Sequence, residues 1–288
     1  MAEETIKTLA RQSHEELIAE TGNPTILQGP FATRNYKLES VRLQTTLEEL
    51  DILRGTQAIV RQGFLQNDTD KAITIPTIFA KVNGIPVNNK GYWSSLDKIE
   101  NSSGLEYLVT MHLSDGEWQL TEEEFLEIDS EISVENLLNS SAWAYGILSK
   151  PLQNKIAIAI VQCFDEWPFL MPKNEANKRK VLRMCLDIPK NLMEMSLEVD
   201  YPKEVPLLAF LHEEAFGEVD SDDIVGLNLF HYLGWDIVIY TPNGFASIEN
   251  VMPEDRYDQF YFEKMASTQS AKGDKISFFQ KLKGKLFN

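Results

Sequence analysis

In the C-terminal half of the chain the apolar positions alternate between extended runs and a helical stripe. Residues 205–211 read V-P-L-L-A-F-L, an unbroken apolar run. Such a run suits a parallel strand covered on both faces. Ser221 or Asp222 then offers a helix cap, and Ile224, Val225, Leu227, Leu229, Phe230 and Leu233 recur at helical spacing. Gly234 stands where a helix wants a left-handed stop, and Asp236 to Tyr240 reads as the next strand. Strand, helix, glycine stop and strand predict a βαβ unit of Rossmann-like type over residues 205–242, with a right-handed crossover.

Upstream, the pattern predicts a more mixed architecture. Residues 1–20 form a short amphipathic helix with a thin stripe of Ile6, Leu9, Leu17 and Ile18. Asn23-Pro24 and Gly29-Pro30 punctuate a connector. Ser40 to Leu53 suits a helix ending before Gly55. Lys71 to Gly84 reads K-A-I-T-I-P-T-I-F-A-K-V-N-G, an extended stretch with Pro76 at an edge or bulge. Leu105 to Leu113 fits a strand or a buried helix. From Thr121 to Ser149 helix signals dominate, opened by a Thr121–Glu124 capping box and continued by a patch from Leu137 to Leu148. Ile156 to Phe164 is nearly continuous and, by length, a helix that Trp167-Pro168 ends. Asn174 caps the next helix, and Pro189 breaks or restarts it. The organisation expected is a mixed α/β region over 1–120, a helical region over 121–200, a Rossmann-like α/β region over 201–265, and a linker with a tail over 266–288.

Composition narrows the function classes. Among 288 residues, 43% are hydrophobic and 25% charged, the make-up of a globular protein able to bury its own core. A net charge of −17 argues against broad contact with nucleic acid. An anionic ligand then needs a local basic pocket. Cys163 and Cys185 lie within apolar helical patterns and are expected as reduced, buried thiols. The polar, acidic start is no signal peptide, and no apolar run approaches a membrane span, so the cytoplasm is the expected compartment. Against this acidic background the last 17 residues carry five lysines and one aspartate. Lys275, Phe278, Phe279, Lys281, Lys283, Lys285 and Phe287 would line a basic amphipathic helix. Such a helix suits an anionic membrane surface or an acidic partner, or folds back on the chain itself.

In an open α/β sheet, ligands bind beyond the carboxyl ends of the strands. Two loops qualify. His212-Glu213-Glu214 follows the first run and offers acid–base or metal-ligand groups, with a solvated loop as the competing reading. Thr241-Pro242-Asn243-Gly244 follows the second and leads to Ser247, Glu249 and Asn250. Its glycine lets backbone approach a ligand, or it forms a simple turn. Arg54, Arg61 and Lys81 flank turns and are candidate anion contacts, or surface ion-pair partners. Asp220-Ser221-Asp222-Asp223 resembles a D-x-D metal motif, though helix capping explains it better. His14, His112 and His231 are read as structural. No G-x-G-x-x-G, P-loop or nucleophile elbow is present, so no cofactor, metal or catalytic set is assigned.

Two stretches carry a family resemblance. I-T-I-P-T-I-F-A-K-V-N-G-I with Tyr92-Trp93 after it, and L-G-W-D-I-V-I-Y-T-P-N-G-F-A-S-I-E-N with Tyr257-Asp258 after it, resemble the bacterial YceG family. The matching residues include Pro76, Phe79, Lys81, Gly84, Asp236, Thr241, Pro242, Gly244, Glu249 and Asn250. The resemblance implies an uncharacterised component of a tellurite- or stress-resistance system, with other stress-operon proteins as partners and a nucleotide- or sugar-phosphate-like ligand. Two function classes follow: a non-catalytic binding protein, or a transferase-like enzyme acting on a phosphorylated small molecule.

Overall fold

The computed structural model describes residues 36–54, 56–102, 105–110, 112–114, 119–129, 132–197, 205–212, 219–243 and 248–262. Its first strand, β1 (Lys37–Arg42), precedes helix α1 (Leu47–Arg54). The single helix expected from Ser40 is therefore split. The reason is local: Thr46 Oγ1 accepts from the Glu49 amide while Glu49 accepts from the Thr46 amide. That reciprocal box starts the helix at residue 47 and leaves the preceding residues free to pair as a strand.

The extended stretch from Lys71 serves two sheets. β2 (Leu65–Asn67) and β3 (Ala72–Thr77) join β1 in a three-stranded sheet of order β1-β3-β2. One residue later the chain continues as β4 (Phe79–Asn83) in a five-stranded sheet. Pro76 sits in the central strand of the small sheet rather than on an edge. It is tolerated because β2 pairs only as far as Thr74, so no β2 ladder bond is lost.

The larger sheet has order β5-β6-β7-β4-β8 and every neighbouring pair is parallel. Its other members are β5 (Glu106–Val109), β6 (Leu207–Leu211), β7 (Asp236–Thr241) and β8 (Asp258–Tyr261). The run from Leu105 thus resolves as a strand. The expected βαβ unit is present: β6, then a helix over Ser221–Tyr232, then β7 paired in register Leu207↔Asp236 to Leu211↔Tyr240. Gly234 adopts φ 86°, as a helix stop requires. Asp220, rather than Ser221 or Asp222, is the N-cap; its carboxylate accepts from the Asp222 amide. The D-x-D likeness is accordingly a cap.

Helices cover both faces of this sheet. On one face lie α1 and α2 (Lys90–Glu100), packed on Ala80, Val82, Ala209, Val238 and Tyr240. On the other lie α3 (Glu122–Asp129), α4 (Val134–Asn139), α5 (Lys150–Glu166), α6 (Glu175–Leu186), α7 (Lys190–Glu194) and α8 (Ser221–Tyr232). They bury Phe79, Leu208, Phe210, Ile237 and Ile239. Alternate strand residues feed opposite cores, which explains why β6 throughout and β7 from Ile237 to Tyr240 are apolar. α8 is buried on all sides because α5 and α6 cover what the sheet does not.

The capping box at Thr121–Glu124 and the Asn174 cap form as expected. The helical patch expected to Leu148 stops at Asn139; Trp143, Tyr145, Ile147 and Leu148 lie in turns held by Gln153, whose amide donates to the Gly146 and Leu148 carbonyls. Cys163 and Cys185 are buried, free thiols. Among the described residues no helix is long and apolar enough to cross a membrane. The helix expected over residues 1–20 and the basic tail lie outside the described residues.

Candidate functional site

The connections single out one place on the sheet. After β4 the chain turns to the α2 face, where Ile85, Tyr92 and Trp93 are buried. After β7 it crosses the opposite face, where Ile248, Met252 and Tyr257 are buried. β7 and β4 are neighbours, so their carboxyl ends flank the point at which the winding reverses. In doubly wound sheets the ligand crevice opens there.

Several predicted residues meet at these strand ends. Thr241 Oγ1 donates to the Val82 carbonyl and bonds Asn83 Oδ1, each at 3.2 Å. The Asn83 amide donates to the Phe260 carbonyl, tying in β8. Gly84, at φ 79°, donates its N–H to the Thr241 carbonyl as the chain leaves for α2. Lys81, fully buried, donates to Glu249 at 2.5 Å. His212 continues the β6 ladder by donating its N–H to the Tyr240 carbonyl. Asn243 follows in the turn after β7. Glu213, Glu214 and Gly244, like the tail residues Lys275, Phe278, Phe279, Lys281, Lys283, Lys285 and Phe287, lie outside the described residues.

Arg61 is placed elsewhere. Its guanidinium, buried at the amino end of β7, bonds both carboxylate oxygens of Asp236 at 2.7 Å. Its remaining donors reach the Pro76, Leu53 and Thr56 carbonyls. All five N–H groups of an arginine are thereby engaged by the protein itself. Arg61 is a fastener between the small sheet and β7, not a cation open to a ligand.

Arg54 lies on the α1–α2 face, against the start of β5. It donates to Ser95 Oγ at 2.9 Å and Glu106 at 3.2 Å, and lies 3.5 Å from the Asp51 carboxylate. It also lies against the Tyr240 hydroxyl, whose pKa burial pushes up to about 12 despite that cation. Above this group opens a pocket of about 160 Å³ between α1 and α2. Val82 and Tyr240 form its floor at the strand ends, Leu50 and Asp51 one wall, Tyr92 and Ser95 the other. Tyr92 packs edge-on to Tyr240 at 5.7 Å and to Phe262 at 6.2 Å between ring centroids. Gly91 stands at the rim, and a Cβ built there meets nothing within 4 Å.

A family model described as the YceG domain matches residues 44–275. The chain belongs to the YceG family. Among curated proteins it is similar to the uncharacterised protein YceG of Bacillus subtilis (strain 168), 28% identical over 256 residues. That match covers 86% of this chain and 47% of the relative, so the chain spans about half the length of the curated YceG protein it matches. No solved structure matches the chain. The family likeness read from the two motifs is thus established; the motifs include β4 and β7, the strands whose carboxyl ends flank the reversal point.

Residue patterning alone did not single out Asp51, Tyr92, Ser95, Tyr240 and Phe262. Tyr240 carries a usable signal: alternation from Val238 puts it on the α1–α2 face. The others need the pairing of β4 with β7, strands separated by more than a hundred residues.

Proposed function

We propose that this chain is a non-catalytic binding component of a bacterial stress- or tellurite-resistance module, and that it binds a nucleotide-like ligand whose planar ring enters the α1–α2 pocket. The observation that carries this reading is an aromatic-lined pocket at the carboxyl ends of β7 and β4, where the winding reverses. Its volume, about 160 Å³, is close to that of an engineered cavity known to hold benzene. It takes one ring rather than a whole ligand. Tyr92, Tyr240 and Phe262 supply ring contacts, and the Asp51 carboxylate, 79% exposed, accepts from a ring-edge N–H. The first turn of α2 holds Lys90 and no carboxylate, so a phosphate attached to the ring would meet the positive end of that helix.

Saturation-transfer NMR with adenosine and uridine tests the reading. Transfer to the base protons is expected, and Gly91→Leu should abolish it. The substituent enters open space in a helix, so the variant should melt no lower than the native chain. Absence of transfer from both nucleosides, or transfer unchanged in Gly91→Leu, would overturn it.

One observation favours the transferase-like alternative. His112 Nδ1 lies 3.0 Å from Asp223 Oδ2 at the carboxyl edge, with the carboxylate buried and the imidazole 64% exposed. A buried carboxylate orienting an exposed imidazole is the arrangement of a general base. Incubation with nucleoside triphosphates, followed by phosphorus NMR, separates the readings. New phosphorus signals that depend on His112 support an enzyme; unchanged spectra support the binding protein.

A further inference from the structure

At the opposite, amino-terminal edge of the large sheet lies a second and larger opening, a cleft of about 450 Å³. This volume is within the range of small-molecule sites. It is bounded by the start of β4, the end of β1, the ends of α5 and α8, and the short turn Glu254–Arg256 before β8. Its lining includes none of the described residues at the carboxyl ends of β4, β6 and β7.

Two guanidiniums converge here from separate elements. Arg42, at the end of β1, donates to the Asp258 carboxylate at 2.5 Å and the Asp255 carbonyl at 3.1 Å. Arg256 donates to the Glu166 carboxylate at 2.9 Å and the Glu166 carbonyl at 3.4 Å. Glu166 is held in turn by the Tyr232 hydroxyl. Each guanidinium is thus fixed in plane through two of its five N–H donors. Among the described residues the remaining donors have no protein acceptor. Rigid, forked N–H donors with free positions match the oxygens of a phosphate.

The neutral groups complete a site for more than a bare anion. His231 Nδ1 lies 3.0 Å from Thr77 Oγ1, which lies 2.7 Å from Ser40 Oγ, making a hydrogen-bonded chain along one wall. Burial first, and then Arg42 and Arg256, hold the His231 imidazole down at a pKa of about 4, so it is an uncharged hydrogen-bonding group at neutral pH. The Asn228 amide nitrogen is taken by the Ile224 carbonyl and Met252 sulfur, which leaves its Oδ1 to accept from a ligand hydroxyl. Three acidic residues, Glu166, Asp255 and Asp258, stand beside the two arginines, so the cleft has no net positive charge. Recognition therefore depends on directed donors and on hydroxyl contacts rather than on bulk attraction.

We infer that this cleft is a binding site for a phosphorylated sugar or polyol, separate from the ring pocket at the other edge of the sheet. The phosphate bridges Arg42 and Arg256, and the hydroxylated carbon chain lies along Ser40, His231 and Asn228.

Calorimetric titration of the full chain with ribose 5-phosphate, inorganic phosphate and ribose tests this. Ribose 5-phosphate should bind, phosphate should bind more weakly, and ribose should give no heat. Arg256→Gln should weaken ribose 5-phosphate at least tenfold; this arginine is 39% exposed, and its pair contributes little to folding. Val41→Trp, which plugs the mouth from a 51% exposed position without touching the hydrogen-bond chain, should do the same. The inference is overturned if ribose 5-phosphate gives no heat at millimolar concentration, or binds both variants as it binds the native chain. Nucleoside signals from the ring pocket should persist in Arg256→Gln, so failure of one site is told apart from failure of the other.

Discussion

Replacing Asp236 by alanine should be among the most damaging single changes in this protein. The side chains of Arg61 and Asp236 are both 0% exposed. The carboxylate accepts two bonds from the guanidinium and one from the Ile78 amide, at the residue where the chain passes from the small sheet to the large one. Alanine leaves a guanidinium charge buried without its counter-ion, together with an unsatisfied amide. Breaking one partner of a buried pair costs about 3–5 kcal/mol. Against a typical total stability of about 5–15 kcal/mol, that is a large share. At roughly 2–4 °C per kcal/mol the melting temperature should fall by roughly 6–20 °C. Urea unfolding followed by tryptophan fluorescence gives the free energy, with an unchanged m-value confirming that stability alone moved. Hydrogen exchange at the Ile78 amide gives a local readout and should accelerate. A loss below about 1 kcal/mol would refute the view that this pair fastens the two sheets, since that is the range of an exposed pair.

Three further outcomes follow. In Gly226→Ala the new Cβ would stand 2.9 Å from Ile188 Cδ1 and 3.1 Å from Leu113 Cδ1. Overpacking of about 1–3 kcal/mol should outweigh the roughly 1 kcal/mol gained in helix propensity. Adding Ile188→Val, which deletes the clashing methyl, should recover most of the loss in a urea titration. His231 has its pKa lowered from 6.5 to about 4, so the unfolded chain binds the extra proton between those values. Its contribution is fully present above pH 6.5 and is lost as pH falls through about 4, by up to about 3 kcal/mol. Comparing native protein with His231→Gln across that window should show a shallower pH slope in the variant; equal slopes would exclude His231 as the source.

The parts of the fold that were readable in the residue pattern are those decided locally. β6, α8 and β7 announce themselves because strands buried on both faces carry continuous apolar runs, and because Gly234 ends the helix in a conformation few other residues accept. The start of α1 is hidden because Ser40 to Leu53 holds apolar residues that satisfy both periods; the Thr46–Glu49 box inside the run decides the boundary. Lys81, Thr241 and Glu249 stand out in the sequence one by one, and the fold brings them to the β4–β7 seam. Arg61 stands out for its charge, yet its partner is a carboxylate 175 residues away. No local rule reveals that pairing. The same holds for the arginine cleft, whose walls come from β1, α5, α8 and the turn before β8, and for the ring pocket, which exists only because β4 inserts between β7 and β8. Both sites are products of topology.

The functional account rests on a flat ring lodging among Tyr92, Tyr240 and Phe262. Photolabelling with 8-azidoadenosine, followed by peptide mass spectrometry, locates such a ring directly. The label should fall on peptides bearing these three residues and should be suppressed by excess adenosine. Label confined to other peptides, or undiminished by adenosine, would contradict the account.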